Sequence, residues 1–204
     1  MRLSQPVFYA PLSQDDRSDH VSGTSFKNSD VNNGSATWDG GIGAYKFYKA
    51  SGRGGAVLWN NLDMGINLST LGITLFFNVM FNAQTTRSPL LGGYVTNNNG
   101  IRWNGIINTE FVKTLGVWQK WLFVGNEPTS TGIEIYLNGV YSSSRGNQIV
   151  RVRGTGDSFL NTMVSIGTSD TTGSTQATNI YAKNILVWNK ALTQEEIEKV
   201  FEIF

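Results

Sequence analysis

Residues 118–144 constrain the fold more tightly than any other stretch of the chain. Ile133, Ile135 and Leu137 alternate with Glu134 and Tyr136, the period of two that marks a strand with one buried face. Asn138-Gly139 follows, and both residue types tolerate the positive φ of a tight hairpin turn. Upstream, 118–124 is an aromatic and aliphatic run of strand composition. Between them, 125–132 holds Gly, Asn, Pro, Thr and Ser and makes a turn. A strand, a turn, a second strand and a tight reversal into a third require antiparallel β-structure.

The rest of the chain extends that pattern. Residues 7–12 form a first short strand, closed by Pro11. Residues 13–43 are polar and turn-rich, long for a compact domain: a packed loop, a functional loop, or cover for a strand without a clear signal. Short strands are expected at 45–48 and 56–59, around a glycine-rich turn at 51–55. The clearest single strand is 73–82, with Ile73, Leu75, Phe77, Val79 and Phe81 on one face and Thr74, Phe76, Asn78, Met80 and Asn82 on the other. Residues 89–95 and 101–107 make another pair, and further strands fall at 111–115, 148–153, 163–167 and 180–188.

The chain closes on a helix. Thr193 is placed as its N-cap, with Glu196 three residues on as the partner of a capping box. Leu192 and Ile197 sit at the spacing of a hydrophobic staple. Ile197, Val200, Phe201 and Phe204 share one helical face, which assigns Glu195, Glu196, Glu198 and Glu202 to the solvated side. No internal repeat or linker interrupts the chain, so 1–204 reads as a single domain.

Composition narrows the function classes. A net charge of +1 leaves no electrostatic footprint for nucleic acid or an anionic membrane. Cysteine is absent, which removes disulfides, thiol catalysis and Cys-based metal sites. His20 is the single histidine, so no imidazole cluster exists for zinc. No apolar run approaches the roughly 20 residues that span a bilayer. Ser4, Gln5 and Pro6 interrupt the N-terminal segment where a secretory signal would need an apolar run.

Taken in order, the strand from Ile73, Trp118 opening a strand before Ile135-Tyr136-Leu137-Asn138-Gly139, the stretch Val164 to Gly167, and the closing run from Ile185 through Leu192 to Glu196 and Ile197 form a recognisable series. The series resembles the concanavalin A-like jelly rolls, specifically the laminin-G-like group. That resemblance implies an all-β fold, a two-sheet antiparallel jelly-roll sandwich with one short C-terminal helix. Members of the group bind glycans or proteins, and some carry enzymatic sites. Lys183 and Asn184 stand where the group's last strand has acidic residues, which weakens an inherited calcium role.

Glucanases of that fold carry E-x-D-x-x-E, placing two carboxylates on one strand face about 5 Å apart. No such triplet occurs here: Glu127 lies in a turn, and Glu134 has no acidic residue two or four positions on. The alginate lyases of the fold use a Gln-x-His motif, and His20 lacks that setting. The expectation is no catalytic residue and no enzyme. Asp15, Asp16 and Asp19, with Asp170 from another loop, could offer oxygens to calcium, but their spacing fits Asx-turns better, so no cofactor is expected. The ligand surface expected from parity is the second face of the 73–82 strand with its neighbours: Phe76, Asn78, Lys120, Leu122 and Tyr136. Aromatic and aliphatic side chains beside amides suit contact with a sugar or a protein; burial under the protein's own loop or helix is the competing reading.

Two binding roles follow. In the first, the chain is a surface or structural protein of a virus particle, that of a bacteriophage, contacting host glycan, other particle proteins or another copy of itself. The argument is a Met-initiated, cysteine-free chain without an export signal carrying a fold displayed outside cells, at a virion surface or in the extracellular space. In the second, it is a carbohydrate-binding module excised from a secreted or cell-surface protein. A glycan-active enzyme ranks below both.

Overall fold

The computed structural model describes residues 2–28, 34–49, 58–61, 72–83, 87–95, 102–108, 114–125, 133–144, 162–166 and 178–204. Its elements are β1 (Phe8–Ala10), β2 (Lys27–Asn28), β3 (Gly34–Asp39), β4 (Ala44–Lys49), β5 (Leu58–Asn61), β6 (Ile73–Phe81), β7 (Arg87–Val95), β8 (Arg102–Asn108), β9 (Trp118–Gly125), β10 (Ile133–Leu137), β11 (Val140–Ser144), β12 (Thr162–Ile166), β13 (Thr178–Trp188) and α1 (Gln194–Ile203). The long polar segment holds β2 and β3, two strands that composition did not reveal. The strand expected at 148–153 lies outside the described residues, as does most of 111–115.

Two antiparallel sheets result. The larger has eight strands in the order β11-β10-β9-β6-β13-β4-β3, with β1 also on β13; the smaller has the order β2-β5-β12-β7-β8. The β10–β11 hairpin turns where expected, with Asn138 at φ 51° and Gly139 at φ 85°. Asn138 also fastens the turn to β9, since its Oδ1 accepts the Lys120 N–H at 2.8 Å. Strand β13 is the axis of the larger sheet. It pairs along one side with β6; its first half pairs on the other side with β4 and its second half with β1. Gly72 leads into β6 at φ +68°, where a Cβ would lie 2.4 Å from the Gly125 carbonyl oxygen, so only glycine fits.

Each face of the larger sheet has its own apolar cluster. On the inner face, Leu75, Phe77, Val79, Trp121, Phe123, Ile135, Ile185 and Val187 join Phe8, Tyr45 and Phe47. On the outer face, Phe76, Leu122, Val124, Tyr136, Leu186 and Trp188 meet Leu192, Ile197 and Val200 from the helix and its lead-in. Helix α1 is therefore docked on the outside of the sheet. Among the described residues, no helix is long and apolar enough to cross a membrane.

Capping fixes how the helix enters. The Thr193 hydroxyl accepts from the Glu196 N–H at 3.4 Å, and the Glu196 carboxylate accepts from the Thr193 N–H at 3.0 Å, the reciprocal pair of a capping box. Thr74 on β6 anchors the lead-in: its hydroxyl donates to the Lys190 carbonyl at 2.9 Å and accepts from the Leu192 N–H at 3.1 Å. Glu196 is the exception to the expected solvated side. It is buried, whereas Glu195, Glu198 and Glu202 are exposed. A carboxylate that reaches back to the N-cap cannot point outward, and this one also accepts from the Ser4 hydroxyl and pairs with Lys190 at 2.9 Å.

Burial raises the Glu196 pKa, but hydrogen bonds from Ser4, the Thr193 backbone and Lys190, with the Lys190 charge, outweigh it and hold the group at about 2 against an ordinary 4.5. Below pH 4.5 the unfolded chain takes up this proton while the folded chain resists until about pH 2. The stabilisation from Glu196 is therefore full above that window and lost as pH falls through it. Denaturant midpoints measured from neutral pH down to pH 2 should drop less steeply in Glu196→Gln than in wild type. Superimposable profiles would remove Glu196 from the docking account.

Candidate binding face

The five residues expected to form a ligand surface do share one face, but the helix divides them. Phe76 and Leu122 are 0% exposed and Tyr136 is 6% exposed. The Phe76 ring meets Phe201 and Phe204 of the helix end, centroids 5.8 and 6.0 Å apart. Burial, then the hydrogen bond from the Tyr136 hydroxyl to Glu134, push the Tyr136 pKa up to about 12. The expectation that these three are exposed is corrected: their cover is the chain's own amphipathic helix, whose apolar face must also leave water. Asn78 and Lys120 stand at the border of the covered area. Lys120 Nζ donates to the Phe201 carbonyl at 3.1 Å, a cation closing a helix C-terminus.

Beyond that border the helix no longer covers the face, and Lys46, Trp118, Tyr181 and Lys183 are half-exposed there while Asn78 and Met80 stay buried beneath them. Cross-strand pairing builds it in rows. One row runs Lys46, Tyr181, Met80, Trp118 across β4, β13, β6 and β9. The next runs Lys183, Asn78, Lys120. Tyr48, 44% exposed, pairs with Asn179 beyond the first row. Each of two rings carries a cation: Lys183 Nζ lies 4.3 Å from the centre of the Trp118 ring, and Lys46 Nζ lies 5.8 Å from that of Tyr181. To reach Trp118 on β9, Lys183 on β13 must cross over β6. Asn78 and Met80 lie on that strand and are 5% and 9% exposed. Within this face Asn78 Oδ1 and Asn179 Oδ1 are buried without hydrogen-bond partners.

A bulge makes the face continuous. Lys183 pairs with Asn78 and Leu186 with Phe76, so Asn184 and Ile185 together oppose Phe77. Asn184 takes the left-handed conformation at φ 49°, which suits a bulge and is tolerated by Asn. Its Oδ1 accepts the Tyr9 hydroxyl at 3.2 Å and its N–H donates to the Pro11 carbonyl at 2.9 Å. The extra residue keeps Tyr181 and Lys183 on the face that Leu186 and Trp188 occupy further on.

At the sheet's end, the Tyr181 hydroxyl donates to Asp39 Oδ2 at 2.8 Å. That bond raises the Tyr181 pKa, with burial adding to it, and lowers that of Asp39. Neither Tyr181, Lys183, Lys46 nor Trp118 was singled out from sequence as a ligand residue. A usable signal existed: Trp118 shares the parity of Lys120, and Lys46 and Tyr48 alternate with the core residues Tyr45 and Phe47.

The three loop aspartates diverge. Asp15 Oδ1 accepts the Tyr45 hydroxyl at 2.6 Å. Asp16 accepts from Ser18 and faces His20. Asp19, 0% exposed, accepts backbone N–H groups of Tyr9, Val21 and Ser22 at 2.8, 3.1 and 2.9 Å. Each carboxylate is engaged with a different part of the chain, Asp15 with β4, Asp16 with its own turn and Asp19 with its turn and β1, and no metal-holding group of three His, Cys, Asp or Glu occurs among the described residues. Asp170 lies outside those residues.

No protein-family model matches the chain, and no curated protein matches it. Solved structures do. The chain is similar to domain 4 of AbnA, a GH43 extracellular arabinanase from Geobacillus stearothermophilus in complex with arabinotriose, at 17% identity and TM-score 0.58, covering 98% of this chain and 99% of that one. It is similar to the binding domain of botulinum neurotoxin serotype G at 12% identity and TM-score 0.59, covering 98% of this chain and 51% of that one. It is similar to a Trypanosoma rangeli sialidase in complex with sialic acid at 15% identity and TM-score 0.56, covering 95% of this chain but 32% of the sialidase. The chain thus spans about a third of the sialidase and half of the toxin domain. Likeness at this level establishes the fold alone, a two-sheet antiparallel β-sandwich of the kind the sequence resemblance implied.

Phe76→Ala should cost about 3–5 kcal/mol of stability, the range for truncating a buried ring. Chemical denaturation monitored by tryptophan fluorescence measures it. An unchanged midpoint would mean that the helix does not cover this half of the face.

Proposed function

We propose that the chain is a non-catalytic binding module whose ligand is a glycan, held on the open half of the helix-bearing face. The observation that carries this reading is the pair of half-exposed rings Tyr181 and Trp118 on one row of the sheet, each with a lysine ammonium beside it. A sugar ring presents C–H groups on one face and hydroxyls at its edge. Aromatic platforms take the first, and amide or ammonium groups take the second. That arabinanase domain 4 and the sialidase were solved with sugars bound supports the reading.

Absence of turnover is part of the proposal. Glycoside hydrolysis uses two carboxylates or, in sialidases, a tyrosine nucleophile. Among the described residues the carboxylate at this end of the face is Asp39, and it is engaged by Tyr181. That bond raises the phenol's pKa, the wrong direction for a nucleophile at neutral pH. The proposed setting, a bacteriophage or other virion surface or the extracellular space, is supported by the ligand class, since glycans are displayed outside cells. No cofactor is proposed, because the loop aspartates are engaged with the chain itself.

A glycan array followed by calorimetry tests the reading. Trp118→Ala and Tyr181→Ala should each weaken binding by roughly thirtyfold or more, as for an anchor residue, with EDTA without effect and no sugar released. Binding that survives both substitutions would place the ligand elsewhere.

A second reading, contact with another copy or with particle proteins, is favoured by the edge strand β11. Val140 and Tyr141 there are 70% and 52% exposed. Light scattering of wild type and Tyr141→Lys, with mass spectrometry of purified particles, tests it; a monomeric wild type absent from particles would remove it.

A further inference from the structure

We propose that this face selects acidic glycans, chains bearing carboxylate or sulfate groups, over neutral ones. The inference rests on the glycan reading above and specifies its ligand class. Lys46, Lys120 and Lys183 converge on two adjacent rows of the sheet. The whole chain carries a net charge of only +1, so this grouping is a local feature and not a reflection of a basic protein. Among the described residues the ion pairs are His20 with Asp16 and Lys190 with Glu196, both away from these rows. Asp39 accepts the Tyr181 hydroxyl and feels the Lys46 charge without forming an ion pair with it, so Lys46 is partly countered and Lys183 is the freer cation.

The cations differ in availability. Lys120 closes the helix C-terminus and serves chiefly to hold the border. Among the described residues Lys183 is engaged with the Trp118 ring, while Lys46 lies by the Tyr181 ring and also acts on the Asp39 carboxylate; an ammonium group over a ring keeps its capacity to pair with an anion. Each ring therefore carries a positive charge over one of its faces. Tyr181 and Trp118 are separated by β6, about two strand spacings or roughly 10 Å. An extended oligosaccharide can lay successive rings on the two platforms and present an acidic substituent to either lysine. A neutral glycan would use the rings but leave the Lys183 ammonium without a counter-charge.

The test titrates the full chain with a sialylated, a uronate-containing and a sulfated oligosaccharide, each beside its uncharged parent, following Trp118 fluorescence and heat. At least one acidic probe should bind about tenfold or more tightly than its parent, as expected for a charge-assisted contact. That preference should shrink as salt rises. Lys183→Gln and Lys46→Gln should each remove most of the preference, while Lys→Arg at the same positions keeps it. Thermal melts of the variants should stay close to wild type, because glutamine keeps much of the apolar stem of each half-buried lysine. Which acidic probe binds distinguishes carboxylate from sulfate. Equal affinity for each acidic probe and its neutral parent would overturn the acidic preference and leave the glycan reading standing. Failure of every probe, acidic and neutral alike, would overturn both.

Discussion

Strand β6 is buried from end to end on both faces, and the rest of the architecture follows from that. A sandwich strand ordinarily has one dry face and one wet face. Here Leu75, Phe77 and Val79 fill the interior, while Thr74 and Phe76 need a second cover. The helix supplies it, and both chain ends are drawn to the same place. Ser4 hydrogen-bonds Glu196, the Trp188 indole donates to the Ser4 carbonyl at 2.9 Å, and Tyr9 packs edge-on against Phe204. Burial of Phe76, Leu122, Leu186 and Ile197 contributes roughly 1.5–3 kcal/mol for each side chain. A hydrogen bond contributes nearer 0.5–1.5 kcal/mol. Apolar docking therefore supplies most of the stabilisation, and the capping and Ser4 contacts set the geometry.

The bulge at Asn184 decides what the uncovered part of the face displays. Ile180 and Ala182 point inward, and so do Ile185 and Val187, although the two pairs are out of phase by one residue. Without the extra residue, a strand that kept Ile185 inside would send Tyr181 and Lys183 into the core. Asn suits the position because its backbone tolerates the left-handed region and its side chain can accept the Tyr9 hydroxyl. The bulge thus joins β1 to the sheet and, a residue earlier, aims Lys183 across β6 toward Trp118.

Much of this was legible in the residues, wherever the chemistry was local. Asn138-Gly139 announced the hairpin, Thr193 with Glu196 announced the cap, and alternation along β6 sorted its two faces correctly. Parity states which side chains share a face; it does not state what lies opposite. Phe76, Leu122 and Tyr136 were therefore placed on the right side, with a ligand and the chain's own helix both left open as their cover. Glu196 shows the same limit in reverse, since counting helical positions put it in solvent while its capping role turned it inward. Strand β3 escaped because Gly34, Ser35, Thr37 and Asp39 mask a short alternation of Ala36 and Trp38. The open site escaped for a topological reason. Lys46 meets Tyr181, and Met80 meets Trp118, only through pairings between distant parts of the chain.

Covered and open regions of one face divide two requirements that conflict in a small domain. Contact residues must stay accessible, yet accessible apolar side chains cost solubility. The covered half removes the aliphatic residues from water. The open half keeps aromatic residues but attaches a cation to each ring, so the stems of Lys46 and Lys183 shield apolar surface while their ammonium groups stay solvated. On the proposed reading, a ligand would meet platforms already ordered by their lysines and by the Asp39–Tyr181 hydrogen bond. Less side-chain freedom then remains to be lost on binding, which favours affinity from a small contact area.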